Sequence, residues 1–259
     1  LPFIAMSVVS VGWRPTLVVF GIVVIALGFL SLAFLDGKPI QHKDVAGSPA
    51  ASSRIGTKIA HLMRHPVFWL IGGAYVICGF TTAGVVKVHL IPYAALCGFT
   101  LTEGAWTIGL LAGFDMVGMI ASGWLTDRMH RPTLLGSVYF LRALTFIMLF
   151  FITDNYPLLL FFAVLFGTLD FATVPPTSGL VASHLGLNTM GLTMGLLFAG
   201  HSIGGALGAL LAGYFFDLFA LYDWVWMMGL ALALVAAVLA WSVPEKRDVV
   251  PVAAEPAAA

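Results

Sequence analysis

Apolar residues in this chain run in long unbroken stretches separated by short polar turns. Seven stretches, at residues 14–35, 66–91, 104–124, 133–153, 157–184, 189–216 and 224–243, are long enough to cross a bilayer as helices. A span needs about 18 residues or more to cover about 30 Å of hydrocarbon. None alternates apolar and polar positions, as a membrane barrel strand of about ten residues must. Residues 1–13 read as the outgoing stub of a further span. Leu1-Pro2-Phe3-Ile4-Ala5 has no charged segment before it, so it is not a signal peptide. The expectation is an all-α integral membrane bundle, a fragment with about seven complete transmembrane helices.

Composition agrees. Only 9% of the 259 residues are charged, against about 25% in soluble domains, and the mean hydropathy is +1.01. The formal net charge is zero, so no basic field argues for nucleic acid. Cys78 and Cys97 lie in or beside apolar spans and read as buried thiols rather than a disulfide. The sequence contains no metal-ligand cluster, phosphate loop or nucleophile elbow, so neither an enzyme nor a resident cofactor is expected.

Charge decides orientation. Lys38, Lys43, Arg54, Lys58 and Arg64 lie in the one long polar linker, residues 36–65. Arg128 and Arg131 lie in the turn after Trp124, and Lys246 and Arg247 in the tail. Alternating spans put all three segments on one side, which the positive-inside rule assigns to the cytoplasm together with the C-terminus. Within the linker, residues 53–63 can form a surface helix. The Gly, Ser and Pro residues before them, and the Pro/Ala tail after Val250, favour disorder.

Ionisable side chains inside spans are costly, so each is a functional candidate: Lys87, His89, Asp115, Arg142, Asp170 and His201. At about 1.5 Å per residue, Asp115 stands roughly 18 Å and Arg142 roughly 16 Å above the turn between their helices. They are expected to pair near the midplane, either as a structural ion pair or as one that opens for substrate or a proton. His201, in Gly200-His201-Ser202-Ile203-Gly204-Gly205, lies near mid-depth among small residues that let helices approach closely. It can take a proton near neutral pH or simply bond a neighbouring helix. Asp170 precedes Pro175-Pro176, where two lost backbone donors should kink or interrupt the span, to line a cavity or only to serve packing. His89 is a candidate for the outer mouth or an interfacial histidine, and Lys87 reads as snorkelling to the interface in preference to binding substrate.

The turn Gly123-Trp124-Leu125-Thr126-Asp127-Arg128-Met129-His130-Arg131 resembles the G-x-L-x-D-R-x-x-R loop signature of the major facilitator superfamily. That resemblance implies twelve helices in two six-helix halves joined by a long cytoplasmic loop. On this chain it implies the end of the first half at 1–35, the central loop at 36–65, a six-helix bundle at 66–244 and a cytoplasmic tail at 245–259. Most of the first half, a partner of the cavity, is then absent. Gly123, Asp127, Arg128 and Arg131 become a cytoplasmic gating loop.

The segments Gly79-Phe80-Thr81-Thr82-Ala83-Gly84, His89-Leu90-Ile91-Pro92-Tyr93-Ala94 and Phe171-Ala172-Thr173-Val174-Pro175-Pro176-Thr177 resemble the bacterial monocarboxylate porter group. Such transporters typically carry D-x-x-x-R on the eighth helix. Here Asp115 matches the acid, but Met119 stands in place of the arginine, and Arg142 is the candidate to supply the missing charge. In the related oxalate/formate branch a lysine occupies roughly the place of His201, which implies a cavity-facing position.

The resemblance implies a secondary transporter working by alternating access in a bacterial inner membrane. Its cargo is a small organic anion such as a monocarboxylate, with protons as possible co-substrates. The candidates for substrate or proton binding are His89, Asp115, Arg142, Asp170 and His201. A carrier for another small solute, or a non-transporting receptor or scaffold on the same fold, are the alternatives.

Overall fold

The computed structural model describes residues 2–34 and 55–245. Every element in that part is helical, in the order α1 (Pro2–Val11), α2 (Trp13–Phe34), α3 (Ile55–Arg64), α4 (Pro66–Gly79), a π-helical segment (Phe80–Val86), α5 (Lys87–Leu96), α6 (Leu101–Thr126), α7 (Arg131–Leu149), α8 (Tyr156–Asp170), a short 3-10 segment (Phe171–Thr173), α9 (Val174–Leu185), a second 3-10 segment (Leu187–Thr189), α10 (Met190–Phe219) and α11 (Asp223–Trp241). Seven of the resulting helical stretches are long and apolar enough to cross a membrane. They correspond one for one to the seven expected spans. The stub becomes α1, separated from α2 by Gly12, whose φ of 87° breaks the helix.

The surface helix expected at 53–63 is present as α3. It buries Leu62 while Ile55 and Met63 remain exposed. Readings for residues 36–54 and for the tail after 245 lie outside the described residues.

Two spans end elsewhere than expected. The helix expected to stop at residue 91 continues through Pro92 to Leu96. The next begins at Leu101, where Thr100 and Glu103 form a reciprocal capping box that satisfies two orphan N–H groups.

Packing does not follow chain order. Helix α6 lies mainly against α8, α7 against α11, and α10 against α4 and the π segment. Two apolar clusters result. One, around Phe146, Phe162, Phe166 and Trp226, fills the end of the bundle near the α8 N-terminus. The other, around Tyr75, Leu135, Tyr139 and Leu180, fills the end near the α6–α7 turn. Arg142 lies where these clusters meet, against Cys78 and Tyr139 of one and Phe166 of the other.

Glycine permits the α4–α10 contact. A Cβ at Gly79 would fall onto the His201 carbonyl, and one at Gly204 onto the Val76 carbonyl. The backbones therefore touch directly, as small residues allow in membrane bundles. Gly79→Ala is expected to cost about 1–3 kcal/mol, as overpacking a tight contact does. A lowered melting temperature of the detergent-solubilised protein checks this, and an unchanged one contradicts the contact.

Candidate functional site

Two helices are broken at the same level, and the breaks place the charges. In the first, the π segment widens the turn and loosens the regular backbone ladder, a geometry frequent at functional sites. Two threonines add hydroxyl bonds to its backbone. Thr81 Oγ1 donates to the Ile77 carbonyl at 2.9 Å, and Thr82 Oγ1 to that of Cys78 at 2.9 Å. Lys87 is the first residue beyond this segment.

In the second, Pro175 and Pro176 bring no N–H to the carbonyls four residues back, those of Phe171 and Ala172. The chain answers with the 3-10 segment at Phe171–Thr173, in which the Val174 N–H donates to Phe171. Ser122 Oγ donates to the Ala172 carbonyl at 2.5 Å. The interruption expected from the two prolines is therefore present, and Asp170 is the last residue before it.

Lys87 joins the two breaks. Its ammonium lies 2.6 Å from Asp170 Oδ2, 3.5 Å from Asp115 Oδ2 and 4.9 Å from the centre of the Phe171 ring. Both carboxylates are buried, while the lysine side chain keeps 34% of its surface open. Asp115 Oδ1 is buried and has no hydrogen-bond partner.

Arg142 is fully buried behind this group. Its Nη2 donates to the carbonyls of Leu169, at 2.5 Å, and Asp170, at 2.8 Å, and its Nη1 to Cys78 Sγ at 3.1 Å. Its guanidinium lies 5.2 Å from the Tyr139 ring centre. Arg142 thus serves the backbone of the α8 break, while the Asp170 carboxylate faces Lys87. Two cations and two carboxylates leave the group neutral as a whole, which suits the low dielectric of a bundle interior.

A cavity of about 80 Å³ opens beside Lys87 and Asp170, walled by Tyr75, Cys78, Phe198 and His201. The His201 ring, half-buried, lies 5.2 Å from that of Tyr75. A broader groove of about 260 Å³ runs past Asp115, walled by Met116, Met119 and Phe171. Phe171 borders both spaces.

Of the residues expected to form the site, Asp115 and Asp170 meet on Lys87, and His201 shares a cavity with Asp170. The Asp115–Arg142 pair is not formed. Equal depth does not make neighbours when α6 packs on α8 and α7 on α11, and Lys87 supplies the positive charge beside Asp115. Nor does Lys87 snorkel. Its helix runs on to Leu96, so the lysine lies deeper than a span ending at 91 implied. Its spacing from the carboxylates gave no local signal, since the three residues stand on three different helices.

His89 is buried apart from this group. Its Nε2 faces the Ala209 carbonyl at 3.1 Å, and its Nδ1 the Tyr222 hydroxyl at 3.3 Å. A neutral ring donating from Nε2 and accepting at Nδ1 satisfies both. Cys78, read only as a buried thiol, lies at the wall between Arg142 and the cavity.

The loop signature closes one end of the bundle. Arg128 Nη1 caps the Trp124 carbonyl at 3.0 Å and stacks 4.1 Å from that indole. Arg131 Nη1 donates across to the Gly179 carbonyl of α9 at 3.2 Å. Gly123 faces Pro175 of α9, and Asp127 ends α6 as its C-cap. The acid at the positive N-terminus of α7 is Glu245, whose Oε2 accepts the Arg131 backbone N–H at 2.8 Å. The loop is thereby tied to α9 and to the segment after α11.

Known proteins resemble this chain in sequence. The chain is 25% identical over 229 residues to the uncharacterized MFS-type transporter YcxA of Bacillus subtilis, covering 84% of this chain and 53% of that protein. It is 27% identical over 165 residues to monocarboxylate transporter 12 of Xenopus laevis, covering 62% and 35%. It is 26% identical over 186 residues to monocarboxylate transporter 13 of Bos taurus, covering 71% and 42%. The chain thus spans about half the length, or less, of these curated relatives. With the family's sequence pattern matching residues 1–198 of a helical membrane bundle, the chain belongs to the Major Facilitator Superfamily.

Proposed function

We propose that this chain supplies the cargo-binding bundle of a secondary transporter that moves a small carboxylate-bearing solute, such as a monocarboxylate, by alternating access. One observation carries the reading. Lys87 is partly open to a cavity deep in the bundle, yet its charge is held by two buried carboxylates. A cation so placed can exchange one internal carboxylate for one brought by the cargo, with little change in its own desolvation. The monocarboxylate transporters among the relatives support the same chemistry.

A lone carboxylate arriving at Lys87 leaves the group one negative charge in excess. A proton taken by Asp115, Asp170 or His201 is one way to offset it. Arg142 acts as a structural support of the α8 break, and His89 as a packing residue between α5, α10 and the turn before α11.

The division into a first-half end at 1–35, a central loop at 36–65, a six-helix bundle at 66–244 and a tail at 245–259 belongs to this proposal. So does the orientation. Lys58, Arg64, Arg128 and Arg131 lie at one end of the bundle, which we assign to the cytoplasmic face of a bacterial inner membrane. There the loop at Gly123, Asp127, Arg128 and Arg131, with Glu245, holds the helix ends in one state and releases them in the other. The work is transport rather than catalysis.

Uptake of a panel of small carboxylates by the full-length protein in liposomes, with and without an imposed pH gradient, tests the proposal. Saturable uptake of at least one carboxylate is expected. Uptake confined to uncharged solutes contradicts it.

A further inference from the structure

We infer that the carboxylate-bearing cargo is a zwitterion, an α-amino acid with an apolar side chain, whose carboxylate takes Lys87 and whose ammonium takes Asp115. This rests on the proposed transport function and narrows it.

Charge arithmetic at the site carries the inference. Lys87 and Arg142 balance Asp115 and Asp170, and Arg142 is sealed from both cavities by its bonds to Cys78 and the α8 carbonyls. An anion added to Lys87 leaves a net negative charge among buried groups, and a simple amine at Asp115 leaves a net positive one. Each is penalised in a low-dielectric interior. A zwitterion adds no net charge and needs no accompanying ion.

The contacts of Asp115 point the same way. Its Oδ2 stands at the longer of the two lysine contacts, 3.5 Å, and is the one more readily displaced. Its Oδ1 is buried without a partner, and the residue is 8% exposed on the wall of the broader groove. A buried carboxylate oxygen left unpaired costs free energy that an ammonium recovers. Lys87 and Asp115 are adjacent, so the two charges of the cargo must be close together, as on one α-carbon.

The rest of the groove is Ala112, Met116, Met119 and Phe171. Thioethers adapt to varied apolar shapes, and the Phe171 face can receive an ammonium or a ring. Met119 stands four residues after Asp115, on the same helix face. A cation there would be a second one on Asp115 from within the chain; with methionine, Asp115 Oδ1 keeps no partner.

Three probes sharing one skeleton test this on the full-length protein: 3-phenylpropanoate, L-phenylalanine and 2-phenylethylamine, with propanoate, L-alanine and ethylamine as a smaller set. Binding is read by competition against tritiated L-phenylalanine and by thermal stabilisation. In at least one set the zwitterion is expected to bind about tenfold or more tightly than its anion and its amine, the scale of one charged contact. Asp115→Asn should remove that advantage, and Met119→Arg should reverse it in favour of the anion. Equal or tighter binding of the anions in both sets overturns the zwitterion and leaves the carboxylate reading standing. Absence of binding by every carboxylate probe overturns both.

Discussion

Replacing Arg142 is expected to be the most damaging single change in this bundle. In Arg142→Met, the carbonyls of Leu169 and Asp170 lose the guanidinium bonds beside the carbonyls that the prolines leave without donors, and the Asp170 carbonyl keeps only the Thr173 hydroxyl as a side-chain donor. Asp115 and Asp170 are left with one cation between them. Breaking a buried charged group by removing one member costs about 3–5 kcal/mol, and each orphaned acceptor adds about 1–3 kcal/mol. That is a large share of the about 5–15 kcal/mol that holds a typical domain together.

Arg142→Lys should rescue little, because an ammonium on a shorter stem lacks the planar fork that reaches the thiol and the two carbonyls from separate nitrogens. Thermal unfolding of the solubilised protein, with size-exclusion profiles, reads the outcome. Loss of the monodisperse peak in both variants is expected. A stable Arg142→Met that merely fails to transport would return the arginine to the cargo site.

Lys87→Met is expected to act in the opposite manner, sparing the fold and abolishing transport. The lysine side chain keeps about a third of its surface open, so its loss leaves no sealed void. The cargo carboxylate, however, loses its only cation in the cavity among the described residues. Truncating one partner of a buried charge pair costs about 2–5 kcal/mol, so uptake should fall about thirtyfold or more. Lys87→Arg should retain part of it. Initial uptake rates in liposomes, normalised to folded protein, separate this from a stability effect.

The contrast between these two residues shows what the sequence could and could not disclose. Seven spans were legible because hydrocarbon forces long apolar runs, and each run became a helix of nearly the expected extent. The break before Pro175-Pro176 was legible because proline removes a donor whatever surrounds it. The pairing of charges was not. Depth along a helix can be counted from a turn, but the direction a side chain faces depends on which helices pack together. Here α6 chose α8, and α7 chose α11. The Asp115–Arg142 expectation failed on that point alone.

Lys87 was misjudged for a local reason. Pro92 looked like the end of a span, but α5 carries it in its interior. A proline in a membrane helix is tolerated when neighbouring groups satisfy the freed carbonyl. The π segment left even less trace. Gly79, Thr81, Thr82 and Gly84 fit an ordinary close-packed membrane helix equally well, and only the backbone of Phe80–Val86 distinguishes the widened turn.

The loop signature gave the family but not its partners in this chain. Its arginines bond the carbonyls of Trp124, near the end of α6, and of Gly179, within α9. The acid that meets the α7 N-terminus is Glu245, more than a hundred residues away along the chain. No spacing rule connects the two positions, because the bundle itself brings them together.

The central claim is that Lys87, held between Asp115 and Asp170, receives the cargo carboxylate. Equilibrium binding of a tritiated carboxylate cargo to wild type and to folded, monodisperse Lys87→Met tests it most directly. Saturable binding by the wild type, lost by about thirtyfold or more in the variant at unchanged melting temperature, is the predicted result. Undiminished binding by Lys87→Met would place the cargo elsewhere and contradict the claim.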